Sequence, residues 1–200
     1  MVVLLQGYRF FELGETLSPS EILNDQCGQF AVLPHLGSIQ GALNKQYEKS
    51  LEFARKALNK NPKHSLNLLN LADIEMILGN KEVAVSYYQQ VVAAWEGEEE
   101  VKYLLGLAQA YGQLKYSTLA IDTLKKAQLL APNNGEVSYS SSIVYSLLEE
   151  KASAIHHVKA ALMNNVGIVW FNLPWFDKLC GNAEFSLLMT KHQNTERCKD

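Results

Sequence analysis

The stretch that decides the fold is VKYLLGLAQAYGQLKYSTLAIDTLKKAQLLAP, residues 101–132. Its first half has residues at i, i+3, i+4, i+7 and i+10 that together form the apolar face of an α-helix. These residues are Leu104, Leu107, Ala108, Tyr111 and Leu114. Pro132 ends the second half, because proline cannot continue a helix. The stretch therefore predicts two helices joined by a short turn.

The same pattern recurs along the chain. Small residues in the second helices are 34, 36 and 34 positions apart, and a second series with the same spacings follows it. The two series are Ser50, Ala84, Ala120 and Ala154, and then Ala57, Val91, Ala127 and Ala161. Two independent series with one period predict a repeat architecture. The predicted units are residues 30–62, 65–96, 101–132 and 135–166.

Small residues also recur in the first helices, at Gly37, Ala72, Ala108 and Ser142. They let the paired helices approach closely, because a larger side chain would overpack the crossing at a cost of about 1–3 kcal/mol. One helix pair cannot bury its apolar face alone, so neighbouring units must stack. The periodicity by itself therefore predicts an all-α stack of helical hairpins.

With these features, residues 30–166 resemble the tetratricopeptide repeat family. The third unit matches the family pattern almost completely, whereas the second has Val91 in place of the usual alanine and Glu96 in place of the usual proline. The matching residues are Leu104, Leu107, Ala108, Tyr111, Leu114, Ala120, Leu124, Ala127 and Pro132. The resemblance implies an all-α, right-handed superhelix of antiparallel helix pairs that binds protein segments on its concave face.

In that family the first helix of each pair lines the concave groove, so its residues that are not used for packing are the candidate binding residues. They are Leu69, Asn70, Asp73, Lys102, Leu105, Gln109, Gln113, Tyr139 and Ile143. Asparagine and glutamine side chains both donate and accept hydrogen bonds, which suits a peptide backbone. A clamp for a C-terminal carboxylate, as in chaperone-binding members, needs more positive charge than Lys102 supplies. The alternatives are a solvated face and a groove filled by the chain's own ends.

The loop EGEEE, residues 96–100, accounts for the longer spacing between the second and third units. Its carboxylates precede a helix start, where negative charge offsets the helix dipole by about 0.3–1 kcal/mol. We interpret it as a solvated acidic loop that caps the helix. The alternative is a docking site for a basic partner.

Residues 167–200 are predicted to close the array as a capping segment. In LPWFDKLCGNAEFSLL, residues 173–188, Trp175, Phe176 and Leu179 would fold onto the fourth unit, and Asn182 would start a helix. This ending resembles the closing segment of bacterial helical-repeat tails attached to adenylate cyclases, serine/threonine kinases and winged-helix regulators. The polar residues 192–200 are expected to be frayed.

The start of the chain, MVVLLQGYRFFELG (residues 1–14), is apolar but lacks a basic region and a small-residue cleavage site, so we do not interpret it as a signal peptide. Residues 1–29 as a whole predict a helical cap at the front of the array. The alternatives are a remnant of another repeat and a contact to a missing domain, and exposed apolar residues there would favour a homodimer or a partner.

Composition excludes several classes of partner. The net charge is −3 and no basic patch is present, which argues against nucleic acid. No apolar run reaches the roughly 18 residues of a membrane helix. Cys27, Cys180 and Cys198 are far apart in the sequence, which favours free thiols in a reducing cytosol over a disulfide framework. We therefore expect a cytoplasmic protein.

No motif predicts catalysis. Adjacent helical residues such as His156 and His157 point about 100° apart, which makes a shared metal ion difficult, and both are expected to be exposed. Cys180 has no nearby histidine or CxxC partner. We expect no enzyme activity, no metal and no cofactor. The predicted function is a protein-binding adaptor or scaffold, and the alternative is a regulatory domain of a signalling protein that lacks its catalytic domain.

Overall fold

The computed structural model describes residues 41–60 and 65–198, so the predictions for residues 1–29 and for Gly37 lie outside the described residues. Within these ranges every regular element is a helix and no strand is present. The chain forms two compact units, residues 1–87 and 88–200, and the boundary lies within a helix. The predicted all-α fold class is confirmed.

The first unit contains helical residues 41–43, α1 (Tyr47–Lys60), α2 (Ser65–Ile77) and the start of α3 (Lys81–Trp95). The second unit continues from α3 with two complete helix pairs and a terminal segment. These elements are α4 (Val101–Gln113), α5 (Ser117–Leu130), α6 (Gly135–Leu147), α7 (Lys151–Met163), the 3-10 helices η1 (Ile168–Asn172) and η2 (Pro174–Leu179), and α8 (Ala183–Lys191).

The helix pairs of the second unit stack as the periodicity predicts. α4 packs against α5, α6 packs against α7, and α4 lies beside α6. The small residues at the crossings have almost no exposed surface, so their predicted role in close helix approach is supported. They are Ser50, Ala57, Ala72, Ala84, Ala108, Ala120, Ala127, Ser142, Ala154 and Ala161.

The turns between paired helices share one geometry. In each, a residue with left-handed backbone follows the first helix: Lys45, Gly79, Lys115 and Glu149, with φ of 57°, 84°, 65° and 65°. The next N–H donates to the carbonyl five residues back, as from Tyr116 to Tyr111 at 2.9 Å. This is the Schellman arrangement for ending a helix. The left-handed residues repeat with the same spacing as the small residues.

The acidic loop, residues 96–100, is exposed throughout and contains Gly97 at φ 89°. Glu100 precedes α4 but makes no side-chain capping hydrogen bond. Instead its carboxylate pairs with Lys102 at 2.9 Å. The negative charge therefore lies at the helix start, as the sequence predicts, without a side-chain capping hydrogen bond.

The C-terminal segment packs on the last helix pair. η2 contacts α6, and α8 contacts α7. Phe171, Phe176, Leu179 and Phe185 are fully buried, and the Ser146 hydroxyl donates to the Trp175 carbonyl at 2.6 Å. Trp175 itself is only half-buried. These contacts cover an apolar face that α6 and α7 would otherwise expose to water.

Asn182 begins α8 as the sequence predicts. Its side-chain oxygen accepts hydrogen bonds from the backbone N–H groups of Glu184 at 2.9 Å and Phe185 at 3.3 Å. These bonds satisfy N–H groups that have no partner within the helix.

Two expectations for the C-terminus are wrong. Residues 192–198 are not frayed, because the Arg197 side chain is 7% exposed and donates to the carbonyl of Phe171 at 2.5 Å. Cys180 and Cys198 are not free thiols, because they form a disulfide. The pairing could not be predicted from the sequence, because the two cysteines are 18 residues apart. Their Cα atoms lie 5.1 Å apart only because the chain reverses direction through α8.

Candidate functional site

The predicted binding residues of the second unit lie on the adjacent helices α4 and α6, and they differ in accessibility. Leu105, Gln109 and Ile143 are 5%, 8% and 3% exposed. Lys102, Gln113 and Tyr139 are half-exposed. The accessible members of the predicted set are therefore polar or aromatic, and the aliphatic members lie beneath them in the helix packing.

The predicted binding residues of the first unit lie on α2. Leu69 is 8% exposed, whereas Asn70 and Asp73 are half-exposed. The spacing of i, i+1 and i+4 places the three on one side of the helix.

The positive charge of Lys102 is already paired within the chain. Its ammonium pairs with Glu100 and lies 4.5 Å from the centroid of the Tyr103 ring. The hydrogen bond to Glu100 raises the pKa of Lys102 above its usual value. A lysine held in this way supplies little free positive charge for a carboxylate ligand.

Tyr139 is held by the C-terminal segment. Its ring lies 5.7 Å from Phe171, 6.0 Å from Trp170 and 6.2 Å from Phe176, measured between ring centroids. Its hydroxyl donates to the Trp170 carbonyl at 3.4 Å. The chain's own end thus occupies part of the surface assigned to Tyr139, which is one of the alternatives that the sequence left open.

Two buried polar atoms on α4 and α6 have no hydrogen-bond partner among the described residues. They are the Gln113 Nε2 donor and the Glu136 Oε1 acceptor. Burial raises the pKa of the Glu136 carboxyl above its usual range. An unsatisfied buried polar atom costs about 1–3 kcal/mol, so both atoms are energetically unfavourable points within the helix packing.

His157 departs from the expectation of two exposed histidines. It is half-buried, and its ring stacks on Tyr145 with centroids 5.3 Å apart. Burial, and to a smaller extent the charge of His156, lower the pKa of His157. The expectation missed this packing because it depends on a contact between α6 and α7.

The described parts of the chain contain no group of three or more His, Cys, Asp or Glu residues that could hold a metal ion. Over the same parts, no helix has both the length and the apolar character needed to cross a membrane.

Sequence reasoning also missed Glu75 and Arg197. The Glu75 side chain is 2% exposed, and its two oxygens accept from Arg55 at 3.0 Å and Asn80 at 2.7 Å. These contacts fasten the end of α2 to α1 and to the start of α3. No local pattern marks either residue, because each acts through a partner at least five residues away.

Comparison with known proteins supports the repeat interpretation. The tetratricopeptide repeat model matches residues 67–94 and 101–134. The BBSome complex member BBS4 of Bos taurus is 28% identical over 116 residues, which is 58% of this chain. The match spans only 22% of the length of that relative.

One solved structure is similar in fold, and a second matches more weakly. TTC0263, a thermophilic TPR protein of Thermus thermophilus, is 21% identical with a TM-score of 0.51, over 84% of this chain and 86% of that one. A tetratricopeptide repeat protein from Parabacteroides merdae is 14% identical with a TM-score of 0.44, over 98% of this chain and 88% of that one. The matched stretches coincide with α2–α3 and α4–α5, and together with the fold of TTC0263 they support tetratricopeptide repeats in this chain.

Proposed function

We propose that the chain is a non-catalytic protein-interaction module, an adaptor or scaffold that binds an extended segment of a partner protein. The binding surface in the second unit is the side of α4 and α6 that presents Lys102, Gln113 and Tyr139. The observation that supports this most directly is that these three side chains stay accessible on two adjacent helices of the repeat stack.

The remaining members of the predicted set have graded roles in this proposal. Leu105, Gln109 and Ile143 are buried and shape the floor beneath the bound segment. Tyr139 contributes only the part of its ring that Trp170, Phe171 and Phe176 leave accessible. Leu69, Asn70 and Asp73 on α2 are proposed as a separate contact surface in the first unit.

The class of partner follows from charge. The chain has a net charge of −3, and the lysine of this surface is already paired with Glu100. We therefore propose a protein segment without a strong negative charge as the ligand, and neither nucleic acid nor a membrane. The bovine relative is described as a member of a protein complex, and an assembly role here is of the same kind.

The test is affinity capture from a lysate of the source organism, followed by calorimetry with the binding segment of the captured protein. Gln113→Ala should weaken binding about two- to tenfold, because one hydrogen bond is lost. Lys125→Ala is the matched control, since Lys125 is exposed on α5 and pairs with Asp122 of the same helix. Equal affinities for Gln113→Ala and the unaltered chain would contradict the assignment of this surface.

A second function is favoured by the ending at residues 173–188, which resembles the tails of bacterial signalling proteins. In this alternative the chain is a regulatory or sensory domain that acts on a cyclase, a kinase or a winged-helix regulator. Capture of such a protein as a stoichiometric complex would favour it. A homodimer is the third arrangement, and sedimentation equilibrium of the full chain would detect it.

A further inference from the structure

The last described residues fold back onto the two 3-10 helices. Arg197 donates from Nε to the Phe171 carbonyl at 2.5 Å, and from Nη2 to the Leu173 carbonyl at 3.1 Å. The same Nη2 contacts Asp177 Oδ1 at 2.7 Å. The Arg197 side chain is 7% exposed, and its guanidinium therefore has three hydrogen-bond acceptors close to the end of the chain.

A second polar contact lies one turn earlier. Asn194 Nδ2 donates to Asn172 Oδ1 at 2.8 Å, and the Asn194 backbone N–H donates to the Met189 carbonyl at 2.9 Å. The tail, which we define as residues 192–198, is therefore fastened to η1 and η2 by polar contacts. Such contacts are individually weak, because water competes for the same groups.

The Cys180–Cys198 disulfide closes this arrangement covalently. Cys180 follows the end of η2, and Cys198 is the neighbour of Arg197, so the bond links the two sides of the tail contact. Both cysteines are partly exposed, which leaves the disulfide open to attack by a thiol from solution. We propose that this disulfide is a reversible redox latch that holds the tail on η1 and η2 when oxidised and releases it when reduced.

The chemistry is thiol–disulfide exchange. A monothiol such as glutathione attacks one cysteine sulfur as its thiolate, forms a mixed disulfide and releases the other cysteine. A second glutathione attacks the mixed disulfide, so that two protein thiols and one glutathione disulfide result. The protein gains two electrons and two protons, and glutathione disulfide drives the reverse reaction.

The release is confined to the tail. Phe171 and Phe176 are fully buried against α6, and neither contact uses residues 192–198. Reduction should therefore free the carbonyls of Phe171 and Leu173 and the carboxylate of Asp177 while the aromatic packing persists. The latch uses none of the residues proposed to bind on α4 and α6.

The test uses the full chain, oxidised with glutathione disulfide and then reduced with dithiothreitol under native conditions. After rapid denaturation and alkylation, the oxidised protein should show one free thiol, and the reduced protein should show all three cysteines of the sequence. Hydrogen exchange followed by mass spectrometry should speed up in residues 192–198 by on the order of a hundredfold, the effect expected for opening a loop of this length. Peptides from α6 should exchange at the same rate in both states.

Two variants separate the latch from other effects of reduction. Cys27→Ser removes the third thiol and should keep the full difference between the two states. The double variant Cys180→Ser/Cys198→Ser should exchange in both buffers as the reduced protein does, with its helical circular dichroism unchanged. A tail that exchanges equally slowly in oxidised and reduced protein, or an oxidised protein without the Cys180–Cys198 peptide, would overturn the proposal.

Discussion

At the scale of single residues, three of the turns place a residue with a side chain in left-handed backbone: Lys45, Lys115 and Glu149. The equivalent turn after α2 has a glycine, Gly79, at this position. Residues with a Cβ adopt this conformation at a cost of roughly 1–2 kcal/mol. At Lys115 a hydrogen bond offsets part of that cost, because its ammonium donates to the Leu147 carbonyl at 2.8 Å. Glu149 forms an exposed ion pair with Lys178, and such pairs contribute little.

Replacing Glu149 by glycine should therefore stabilise the protein. Removing the backbone strain outweighs the larger entropy that glycine has in the unfolded chain, which is about 0.5–1 kcal/mol. We expect a net gain in the free energy of unfolding of about 0.5–1 kcal/mol, measured by urea denaturation. Lys115→Gly should gain less, because it also loses the bond to Leu147. The reverse order of the two variants would contradict this explanation of the turns.

His157 should make stability depend on pH. Its pKa is lower in the folded protein than in the unfolded chain, because folding buries the ring and places it beside His156. Between the folded pKa and the usual value near 6.5, the unfolded state binds more protons, so stability rises with pH across this window. The stability is complete above the unfolded pKa and is lost as pH falls below it.

The urea midpoint should therefore be lower at pH 5 than at pH 7.5, and His157→Gln should reduce that difference. His156→Gln is the control, since His156 is exposed and affects His157 only as the smaller cause. If the pH dependence of the His157→Gln variant matched that of the unaltered chain, another group would be responsible.

At the scale of elements, the helix pairs were predictable because one physical rule, the apolar spacing along a helix, acts within each segment. The C-terminal helix was predictable from an equally local signal, because asparagine at position 182 is a residue type that caps helix starts. The non-glycine turns at Lys115 and Glu149 were not predictable, because those residue types have no preference for left-handed backbone. The disulfide and the Arg197 contacts form only because the chain returns to η1 and η2. No local sequence pattern predicts that return.

The capping segment should contribute strongly to stability through Phe176. This side chain is fully buried and packs against Phe171 at a centroid distance of 5.1 Å and against Tyr139. Phe176→Ala should lower the free energy of unfolding by about 3–5 kcal/mol. The measurement is chemical denaturation of the oxidised chain.

Leu187→Ala is the matched control for this variant. Leu187 lies in the same terminal segment but is 68% exposed, so its removal should change stability by no more than about 0.5 kcal/mol. Equal losses for Phe176→Ala and Leu187→Ala would mean that the segment does not act through burial of its aromatic side chains.

At the scale of the whole molecule, the sequence pattern groups the candidate residues on one helix face but does not tell which of them stay accessible. The period places Leu105, Gln109 and Gln113 on one side of α4. Exposure depends on neighbouring helices, and in the structure only Gln113 of these three is half-exposed. The engagement of Tyr139 by Trp170 and Phe171 likewise depends on the path of the C-terminal segment.

The central claim is that the chain works by binding another protein through the surface of α4 and α6. The most direct test replaces Gln113 with the photo-crosslinking residue benzoylphenylalanine and irradiates the purified chain in a lysate of the source organism. The same replacement at Lys125 on α5 is the comparison. The claim predicts a defined protein adduct at position 113 and none at position 125. No adduct at position 113, or the same adducts from both positions, would contradict it.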